Sequence, residues 1–294
     1  MYKITYREDL VPNIHLFKVL APAVARKARE GQFVMLMIDE KGERIPLTIA
    51  GYDREEGTVT VIFMELGKTT RKLATLQAGD SIHSFLGPLG VPTHIEKFGT
   101  VACVGGGFGV ATTAPIARAM KAAGNTVISI MGFRNRDLMF WEDELRKVSD
   151  ELYITTDDGS YGRKGLVTDP LKDLLQQGRK IDLVTAIGPA IMMKFVSKTT
   201  EPFGVKTIVS LNPVLVDGTG LCGGCRVSIG GQTMFACVDG PEVDGHLVDW
   251  DLLMSRQRVY LEEEKESMRL WEEEHHYCQS LETKERQSLV AKER

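Results

Sequence analysis

The stretch Thr100-Val-Ala-Cys-Val-Gly105-Gly-Gly-Phe-Gly109 decides the fold of the middle of this chain. Its first five residues favour a buried strand, and the glycines that follow favour a turn. Residues 111–123 then have the composition of a helix. A strand, a glycine turn and a helix in this order are typical of one unit of a parallel sheet. Cys103, inside the strand, is predicted to be a small core residue and not a ligand.

The alternation of strand and helix continues to about residue 211. Four more strands are predicted at residues 126–131, 152–156, 182–187 and 205–210. The helices between them are predicted at residues 140–148, 166–177 and 190–200. We therefore expect residues 98–211 to form an α/β domain with a parallel sheet and right-handed crossovers, whose ligands bind at the carboxyl ends of the strands.

Three of those carboxyl ends carry residues suited to a nucleotide. The first strand is followed by glycines, the third by acidic residues and glycine, and the fourth by glycine and proline, namely Gly105, Gly106, Gly107, Gly109, Asp157, Asp158, Gly159, Gly188 and Pro189. The glycine turn is close to the usual dinucleotide fingerprint but does not have its spacing. Three marked ends on one sheet edge favour a nucleotide site over simple tight turns.

The choice between NAD and NADP stays open on the residues alone. The second strand ends in Gly132-Phe-Arg134-Asn-Arg136, without the acidic residue that commonly binds the adenosine ribose. Arginines at this position can hold a 2′-phosphate, and they can equally belong to a solvated loop.

Residues 1–97 are predicted to form a β barrel. Short apolar or alternating runs begin near Lys3, Ile14, Gln32, Ile45, Thr58 and Ser81, and turn signals separate them. One helix is expected at residues 69–76, entered through Gly67-Lys68-Thr69-Thr70. A glycine and hydroxyls at a helix start suit a phosphate group, and the alternative is that threonine only caps the helix.

A cysteine loop follows the α/β domain, and its sequence is Asp217-Gly-Thr-Gly-Leu-Cys222-Gly-Gly-Cys225, with Cys237 further on. Plant-type ferredoxins bind a [2Fe–2S] cluster with the spacing Cys-x4-Cys-x2-Cys and a fourth cysteine. In this register Asp217 occupies the place of the first cysteine. The spacing predicts a cluster bound by Asp217, Cys222, Cys225 and Cys237, with a β-hairpin that turns at Gly230-Gly231 between the last two.

Three alternatives compete with this cluster. A disulfide scaffold is disfavoured by the odd cysteine count and the length of the chain. A structural zinc site remains, although zinc sites usually have a second close pair of ligands. In the third alternative Asp217 is only a turn residue, and the fourth cluster ligand is Asp239 or Cys278. One hard oxygen among soft thiolates is unusual for an iron–sulfur site.

Composition and charge limit the functions that this chain can have. The net charge of −4 argues against nucleic acid as a partner. No apolar run is long enough to span a membrane, and Met1-Tyr-Lys-Ile is typical of a strand and not of a signal peptide. Free thiols without an export signal lead us to expect a cytoplasmic protein.

Residues 251–294 are predicted to form a helical, acid-rich C-terminal extension. Leu261, Met268 and Trp271 can form one apolar stripe, which either packs on this chain or docks a partner, and we favour the partner. His275, His276 and Cys278 have poor spacing for a metal site and are expected to be exposed.

The order of barrel, parallel sheet and cysteine loop resembles the ferredoxin–NADP reductase superfamily, near the dihydroorotate dehydrogenase electron-transfer subunits. The resemblance spans about residues 1–250, and its motifs are Arg44-Ile-Pro-Leu-Thr48, Gly67–Thr70, Gly105–Gly109, Asp157–Gly162, Gly188–Met193 and the cysteine loop. It implies FAD with its pyrophosphate on Arg44, its isoalloxazine along Pro46, Leu47 and Thr48, and a phosphate at Gly67, Lys68, Thr69 and Thr70. It also implies a nicotinamide nucleotide at the sheet edge, including Met192.

Two departures refine the resemblance, because Asp217 replaces a cysteine and about forty-five residues follow the cluster module. Both are similar to the small subunits of NADH-dependent reduced ferredoxin:NADP oxidoreductase, also described as sulfide dehydrogenase beta subunits. That family implies an electron-bifurcating heterodimer with a large flavin and iron–sulfur subunit that resembles the glutamate synthase small subunit, with ferredoxin as a further partner and NAD(H) as the nucleotide.

The expected function is thus electron transfer between NAD(H), FAD and a [2Fe–2S] cluster, and no catalytic nucleophile or acid–base pair is expected. The alternatives are a dihydroorotate dehydrogenase electron-transfer subunit and a non-enzymatic module that binds a nucleotide and zinc.

Overall fold

A computed structural model describes residues 1–274. Its N-terminal part is a nearly closed antiparallel barrel of seven strands in the order β6-β1-β2-β5-β4-β3-β7. The strands are β1 (Tyr2–Val11), β2 (Ile14–Leu20), β3 (Phe33–Met37), β4 (Arg44–Asp53), β5 (Thr58–Met64), β6 (Ser81–Ile82) and β7 (Ser84–Leu89). Two short helices, α1 (Pro22–Lys27) and α2 (Lys68–Ala74), accompany them. The predicted barrel and the predicted helix after Gly67 are therefore confirmed, whereas α1 was not predicted.

Strands β2 and β5 are buried on both faces. Phe17 and Phe63 point into the barrel, where their ring centroids lie 5.0 Å apart. Leu16 and Ile62 point outward into a core shared with the next domain. Because successive side chains of a strand alternate between faces, burial on both sides requires a continuous apolar run. This sequence pattern fixes the barrel against the α/β domain.

The second part of the chain is built on a mostly parallel sheet. Its strands are β8 (Thr100–Gly106), β9 (Thr126–Phe133), β10 (Glu151–Thr156), β11 (Arg163–Lys164), β12 (Leu183–Ile187) and β13 (Thr207–Ser210). The helices between them are α3 (Val110–Ala122), α4 (Glu142–Val148), α5 (Thr168–Gln176) and α6 (Ala190–Thr200). The five long strands pair in parallel, as predicted, and Cys103 is fully buried among them.

The cysteine module is joined to this sheet. It contains the predicted hairpin of β14 (Arg226–Ile229) and β15 (Gln232–Phe235), followed by β16 (Glu242–Asp244) and α7 (Trp250–Arg256). Strand β16 pairs antiparallel with β13 and completes the order β11-β10-β9-β8-β12-β13-β16. Strand β16 was not predicted, since three residues give no periodic signal and their pairing partner, β13, lies about thirty residues away in the chain.

Residues 261–274 form a tail helix. Arg71 of α2 makes an ion pair of 2.8 Å with Glu272, so this helix lies against the barrel of its own chain. Met268 and Trp271 are half-buried, whereas Leu261 is 41% exposed. The predicted apolar stripe is thus only partly covered within the described chain. His275, His276 and Cys278 lie outside the described residues.

None of the helices within residues 1–274 is long and apolar enough to cross a membrane.

Candidate functional site

The turn between β8 and α3 is shaped by close backbone approaches. A Cβ atom added at Gly106 would collide with Sδ of Met192, and one added at Gly109 would collide with the carbonyl oxygen of Ile187. Gly107 has a φ of +53°, which favours glycine. The turn leads directly into the thirteen-residue helix α3, whose first N–H groups lack partners within the helix. Together these features suit the pyrophosphate of a dinucleotide.

The turn after β12 packs on the turn after β8. A Cβ atom at Gly188 would lie 3.0 Å from the carbonyl oxygen of Gly106 and 2.9 Å from Sδ of Met192. Pro189 directly precedes helix α6. The structure therefore brings together the predicted residues Gly105, Gly106, Gly107, Gly109, Gly188, Pro189 and Met192 at one sheet edge.

The loops after β9 and β10 are tied to each other. The Asp158 carboxylate accepts hydrogen bonds from the hydroxyl and the backbone N–H of Ser160, at 2.6 and 2.9 Å. These hydrogen bonds, of which the one from the hydroxyl has the larger effect, hold the pKa of Asp158 below its usual value. The backbone N–H of Arg136 donates to the Ser160 hydroxyl at 2.9 Å, and the Arg136 guanidinium lies 5.4 Å from the centre of the Tyr161 ring. Asp157, Asp158 and the arginine loop thus form one corner of the sheet edge.

A cavity of about 650 Å³ opens at this corner. Arg136, Tyr161 and Trp141 line it together with Leu10 of the barrel. Trp141 has a φ of +59°, an uncommon conformation for a bulky residue, and it begins helix α4. The volume and the aromatic side chains suit a small organic group such as a nucleoside.

The predicted flavin strand β4 presents alternate residues outward. Leu47 is 7% exposed and belongs to the barrel core. Arg44, Pro46 and Thr48 therefore share the opposite face, because side chains alternate along a strand. Of the four predicted residues, Leu47 can offer only its backbone to a ligand on that face.

The two threonines at the start of α2 already have partners. The Thr70 hydroxyl accepts hydrogen bonds from the backbone N–H groups of Gly67 and Leu66, at 3.1 and 2.9 Å. The Thr69 hydroxyl donates a short hydrogen bond to the carboxylate of Glu43. Capping is thus the role of Thr70 in the structure, and the phosphate contact of Gly67, Lys68, Thr69 and Thr70 stays a prediction.

The cysteine loop pairs two buried thiols. The sulfur atoms of Cys225 and Cys237 lie 3.2 Å apart, and the Cys222 sulfur accepts a hydrogen bond of 3.4 Å from the Gly224 N–H. All three cysteines are free, so the loop is not a disulfide scaffold. Burial, and then the neighbouring Cys225 thiol, raises the pKa of Cys237 to about 12. Two facing buried thiols fit a thiophilic metal, whose charge would favour their deprotonation.

Asp217 lies near Arg44 of strand β4. Its carboxylate accepts hydrogen bonds from the hydroxyl and the N–H of Thr219, which lower its pKa, and the charge of Arg44 acts in the same direction. Within residues 1–274 no three His, Cys, Asp or Glu side chains approach closely enough to hold a metal ion. The four-ligand set therefore stays a prediction.

The rival ligand Asp239 has a structural task, since its carboxylate accepts a hydrogen bond of 2.7 Å from the Phe235 N–H in the hairpin. Cys278, the other rival, falls beyond the described part of the chain.

The cysteine loop packs on the outer face of the barrel beside β4. Cys225 and Cys237 share a small apolar cluster with Phe33 and Met35 of β3. In the barrel sheet Met35 pairs with Pro46, and Phe33 pairs with Thr48. Paired strands lie about 5 Å apart, so the predicted flavin face and the predicted cluster loop are neighbours.

Four residues near the candidate sites were not predicted from the sequence, namely Met35, Glu43, Trp141 and Tyr161. Met35 and Glu43 have no local motif, because their roles arise from contacts with the cysteine loop and helix α2. Tyr161 stands within the predicted motif Asp157–Gly162, so an aromatic side chain beside acidic and glycine residues was the one available signal.

Comparison with known proteins places this geometry in context. The model of the iron–sulfur cluster binding domain of dihydroorotate dehydrogenase B matches residues 212–249. An uncharacterized protein in the adh 3′ region of Clostridium beijerinckii is 51% identical over 90% of this chain and 92% of its own length. A dihydroorotate dehydrogenase B (NAD(+)) electron transfer subunit homolog from Thermotoga maritima is 48% identical over 90% and 93%.

A solved structure of the NADH-dependent reduced ferredoxin-NADP oxidoreductase, which concerns flavin-based electron bifurcation, contains a similar chain. It is 47% identical to this chain, with a TM-score of 0.86 over 91% of this chain and 96% of that one.

Proposed function

This chain belongs to the family of dihydroorotate dehydrogenase B electron-transfer subunits and their homologues, within the ferredoxin-reductase superfamily, and we infer that it is the electron-transfer subunit of an electron-bifurcating NADH-dependent ferredoxin-NADP oxidoreductase. It is an oxidoreductase subunit that uses NAD(H), FAD and a [2Fe–2S] cluster. One observation carries the proposal: the outer face of β4 lies next to the cysteine loop, across the pairs Met35–Pro46 and Phe33–Thr48.

Four segments of the chain have separate roles in this proposal. Residues 1–97 bind FAD, residues 98–211 bind the nucleotide, residues 212–250 bind the cluster, and residues 251–294 form a helical extension. When bound, a flavin would supply both hydride and single-electron chemistry, so the face of β4 that would hold it is expected between the nucleotide edge and the cysteine loop. The protein contributes position and electrostatics.

Binding of the flavin falls to the outer face of β4. The guanidinium of Arg44 would pair with the pyrophosphate in a charge-assisted contact, while Pro46 and Thr48 orient the ring. Cluster binding falls to Asp217, Cys222, Cys225 and Cys237. The buried position of Cys225 and Cys237 limits the access of water to two of the four ligands.

The nucleotide is NAD(H) in this proposal. The carboxylates of Asp157 and Asp158 lie at the same corner of the sheet edge as the arginine loop, and their charge would disfavour a 2′-phosphate there. The Arg136 guanidinium is placed over the Tyr161 ring. A dinucleotide without a 2′-phosphate fits this corner better than NADP(H).

The chain works with a partner subunit, as its relatives are subunits by name. We propose that the partner is a large flavin and iron–sulfur subunit resembling the glutamate synthase small subunit, through which ferredoxin is reached. Three apolar side chains beside the cysteine loop support docking there, since Val216, Leu221 and Val238 are 53%, 89% and 43% exposed. A cytoplasmic location belongs to the same proposal, in keeping with the reduced cysteines.

Purification of the chain with its partner under anaerobic conditions tests the proposal. We expect flavin bands, broad iron–sulfur absorption and a co-purifying glutamate synthase-like chain, and NADH should bleach the flavin faster than NADPH. Faster bleaching by NADPH would assign Arg134 and Arg136 to a 2′-phosphate. A colourless, zinc-containing protein would instead support the nucleotide- and zinc-binding module.

The second candidate is an electron-transfer subunit of dihydroorotate dehydrogenase B, because the matching iron–sulfur domain carries that name. It predicts a TIM-barrel dehydrogenase as the co-purifying partner. The identity of the second chain therefore separates the two candidates in the same experiment.

A further inference from the structure

Met35 lies where the flavin strand and the cysteine loop meet. Its side chain is 1% exposed and belongs to the apolar cluster that contains Cys225 and Cys237. In the barrel sheet it is the direct partner of Pro46 on β4. Paired residues of neighbouring strands point to the same face, so Met35 and Pro46 stand side by side beneath the loop.

The loop touches Met35 at Gly218, the residue after Asp217. A Cβ atom added at Gly218 would lie 2.7 Å from Cγ and 3.4 Å from Sδ of Met35, and 3.0 Å from Cδ1 of Leu89. Gly218 also has a φ of +83°, a conformation that side chains rarely adopt. The loop backbone therefore rests directly on the Met35 side chain, without room for another atom.

This contact constrains the position of Asp217, the neighbour of Gly218 in the chain, relative to the barrel. Asp217 is bonded to Gly218 in the chain and lies within the electrostatic influence of Arg44. On the other side of the contact, Met35 packs in the same cluster as two of the cysteines. A change in the volume at Met35 would thus move the predicted carboxylate and thiolate ligands relative to each other and to β4.

We propose that Met35 and Gly218 form a positioning contact that sets the place of the cluster ligands relative to the flavin strand. The proposal rests on the cofactors of the proposed function. Methionine suits the position because its unbranched thioether fills an irregular gap and is polarizable. Its apolar side chain also helps to keep water from the cysteine sulfurs, and solvent exposure is one determinant of a cluster's potential.

The test compares three variants of the purified holoprotein. Met35→Leu keeps the volume but changes the shape and removes sulfur, Met35→Ala leaves a cavity, and Met120→Ala is the control. Met120 is also fully buried, but it packs between α3 and the parallel sheet. Flavin content, iron content, the paramagnetic resonance spectrum of the reduced cluster and its midpoint potential are measured for each.

We expect Met35→Leu to retain flavin and iron while the resonance spectrum and the midpoint potential shift. Met35→Ala should bind iron roughly tenfold more weakly in competition with a chelator, because removing a supporting contact of a metal site lowers its affinity for the metal. Met120→Ala should lower stability but leave the spectrum and the potential of the parent protein.

The proposal is overturned if Met35→Leu has the spectrum and potential of the parent protein and Met35→Ala keeps its iron equally well. If Met35→Ala does not fold, Met35→Leu alone decides. Failure of the proposed function has a different signature, because the parent protein itself would then lack flavin or iron.

Discussion

The nucleotide edge and the cysteine loop are both rich in glycine, but the glycines have different tasks. At the edge, Gly106 and Gly109 have ordinary φ angles of −113° and −59°, and they are required because a side chain would collide with neighbouring turns. In the loop, Gly218, Gly220 and Gly223 have φ angles of +83°, +86° and +68°. At Gly106 and Gly109 glycine serves close packing alone, whereas in the loop positive φ angles require it, at Gly218 together with the close contact to Met35.

This difference between the glycines indicates how far each site is formed before its ligand binds. Strands and helices hold the nucleotide edge, so its turns are in place in the protein alone. The loop has little regular structure between residues 211 and 226, and its position depends on contacts such as the approach of Cys225 and Cys237 to 3.2 Å. We therefore expect the edge to be preorganised and the loop to be completed by the metal.

The largest expected effect concerns the loop. Asp217→Ala should lose the cluster, because water is a poor substitute for a carboxylate and the glycine-rich loop offers little else. Asp217→Cys should still assemble a [2Fe–2S] centre, with a shifted resonance spectrum and potential, because ligand type is one determinant of both. Iron content and paramagnetic resonance measure the outcome.

The control for Asp217 is Asp239→Ala, which removes the hydrogen bond to the Phe235 N–H but should leave the cluster spectrum unchanged. An Asp217→Ala protein with an unaltered cluster would contradict the assignment and redirect the search to Asp239 and Cys278.

The second effect concerns the edge and should appear without any ligand. Gly109→Ala should destabilise the apoprotein by about 3 kcal/mol, since the new methyl group collides with the rigid backbone at Ile187. Gly107→Ala is the matched control, because no atom lies within 4 Å of its Cβ position. Its left-handed backbone alone should cost about 1 kcal/mol. Equal losses in urea unfolding would show that close packing is not what requires glycine here.

The third effect concerns the predicted flavin face of β4, which lies beside the cysteine loop. Arg44→Ala should weaken FAD binding by about 2 kcal/mol, since a hydrogen-bonded contact between a guanidinium and a phosphate is lost. Flavin content after dilution and gel filtration measures this change. Arg54→Ala serves as the control, because Arg54 lies over the Tyr52 ring near the end of β4, away from the motif. A variant at Arg44 with unchanged flavin affinity would be evidence against the barrel site.

The sequence predicted the parts of the molecule that local patterns encode. The strands β8–β10 and β12–β13 follow from apolar runs, and the hairpin after Cys225 follows from Gly230-Gly231. The inward direction of Leu47 follows from alternation as well, although the motif had grouped it with Pro46 and Thr48. These features depend only on residues near in the chain.

The remaining features depend on contacts between distant segments. In the sequence, Met35 resembles the other apolar residues of the barrel, and its role depends on its contact with the cysteine loop. Glu43 gains its role from its hydrogen bond with Thr69 on α2. The left-handed conformation of Trp141 has no sequence signal of its own, since glycine or asparagine is the usual residue there.

Glu242 is such a long-range feature, and it lies where the cysteine module meets the segment between the barrel and the α/β domain. It belongs to β16 of that module, and its carboxylate accepts a hydrogen bond of 2.6 Å from the Thr93 hydroxyl in this segment. Glu242 also lines a cavity of about 170 Å³ with His94 and Lys206, the other two titratable residues there. Desolvation raises the pKa of Glu242 from its ordinary 4.5 to about 6, against the opposing effect of the Thr93 hydrogen bond.

The smallest expected effect is therefore a dependence of stability on pH at this junction. Because the folded state holds the proton more tightly, stability should fall as pH rises from about 4.5 to about 6, and the full cost of about 2 kcal/mol is present at pH 7 and above. Glu242→Gln keeps an acceptor for Thr93 without the charge, so it should stabilise the protein by up to this amount at pH 8 and by nothing near pH 4. Urea unfolding at both values measures the difference, with the exposed linker residue Glu96→Gln as a control expected to stay within about 0.5 kcal/mol. A Glu242→Gln protein less stable than its parent at pH 8 would mean that the charged carboxylate stabilises the contact of β16 with Thr93 by more than its desolvation costs, and the prediction would be wrong.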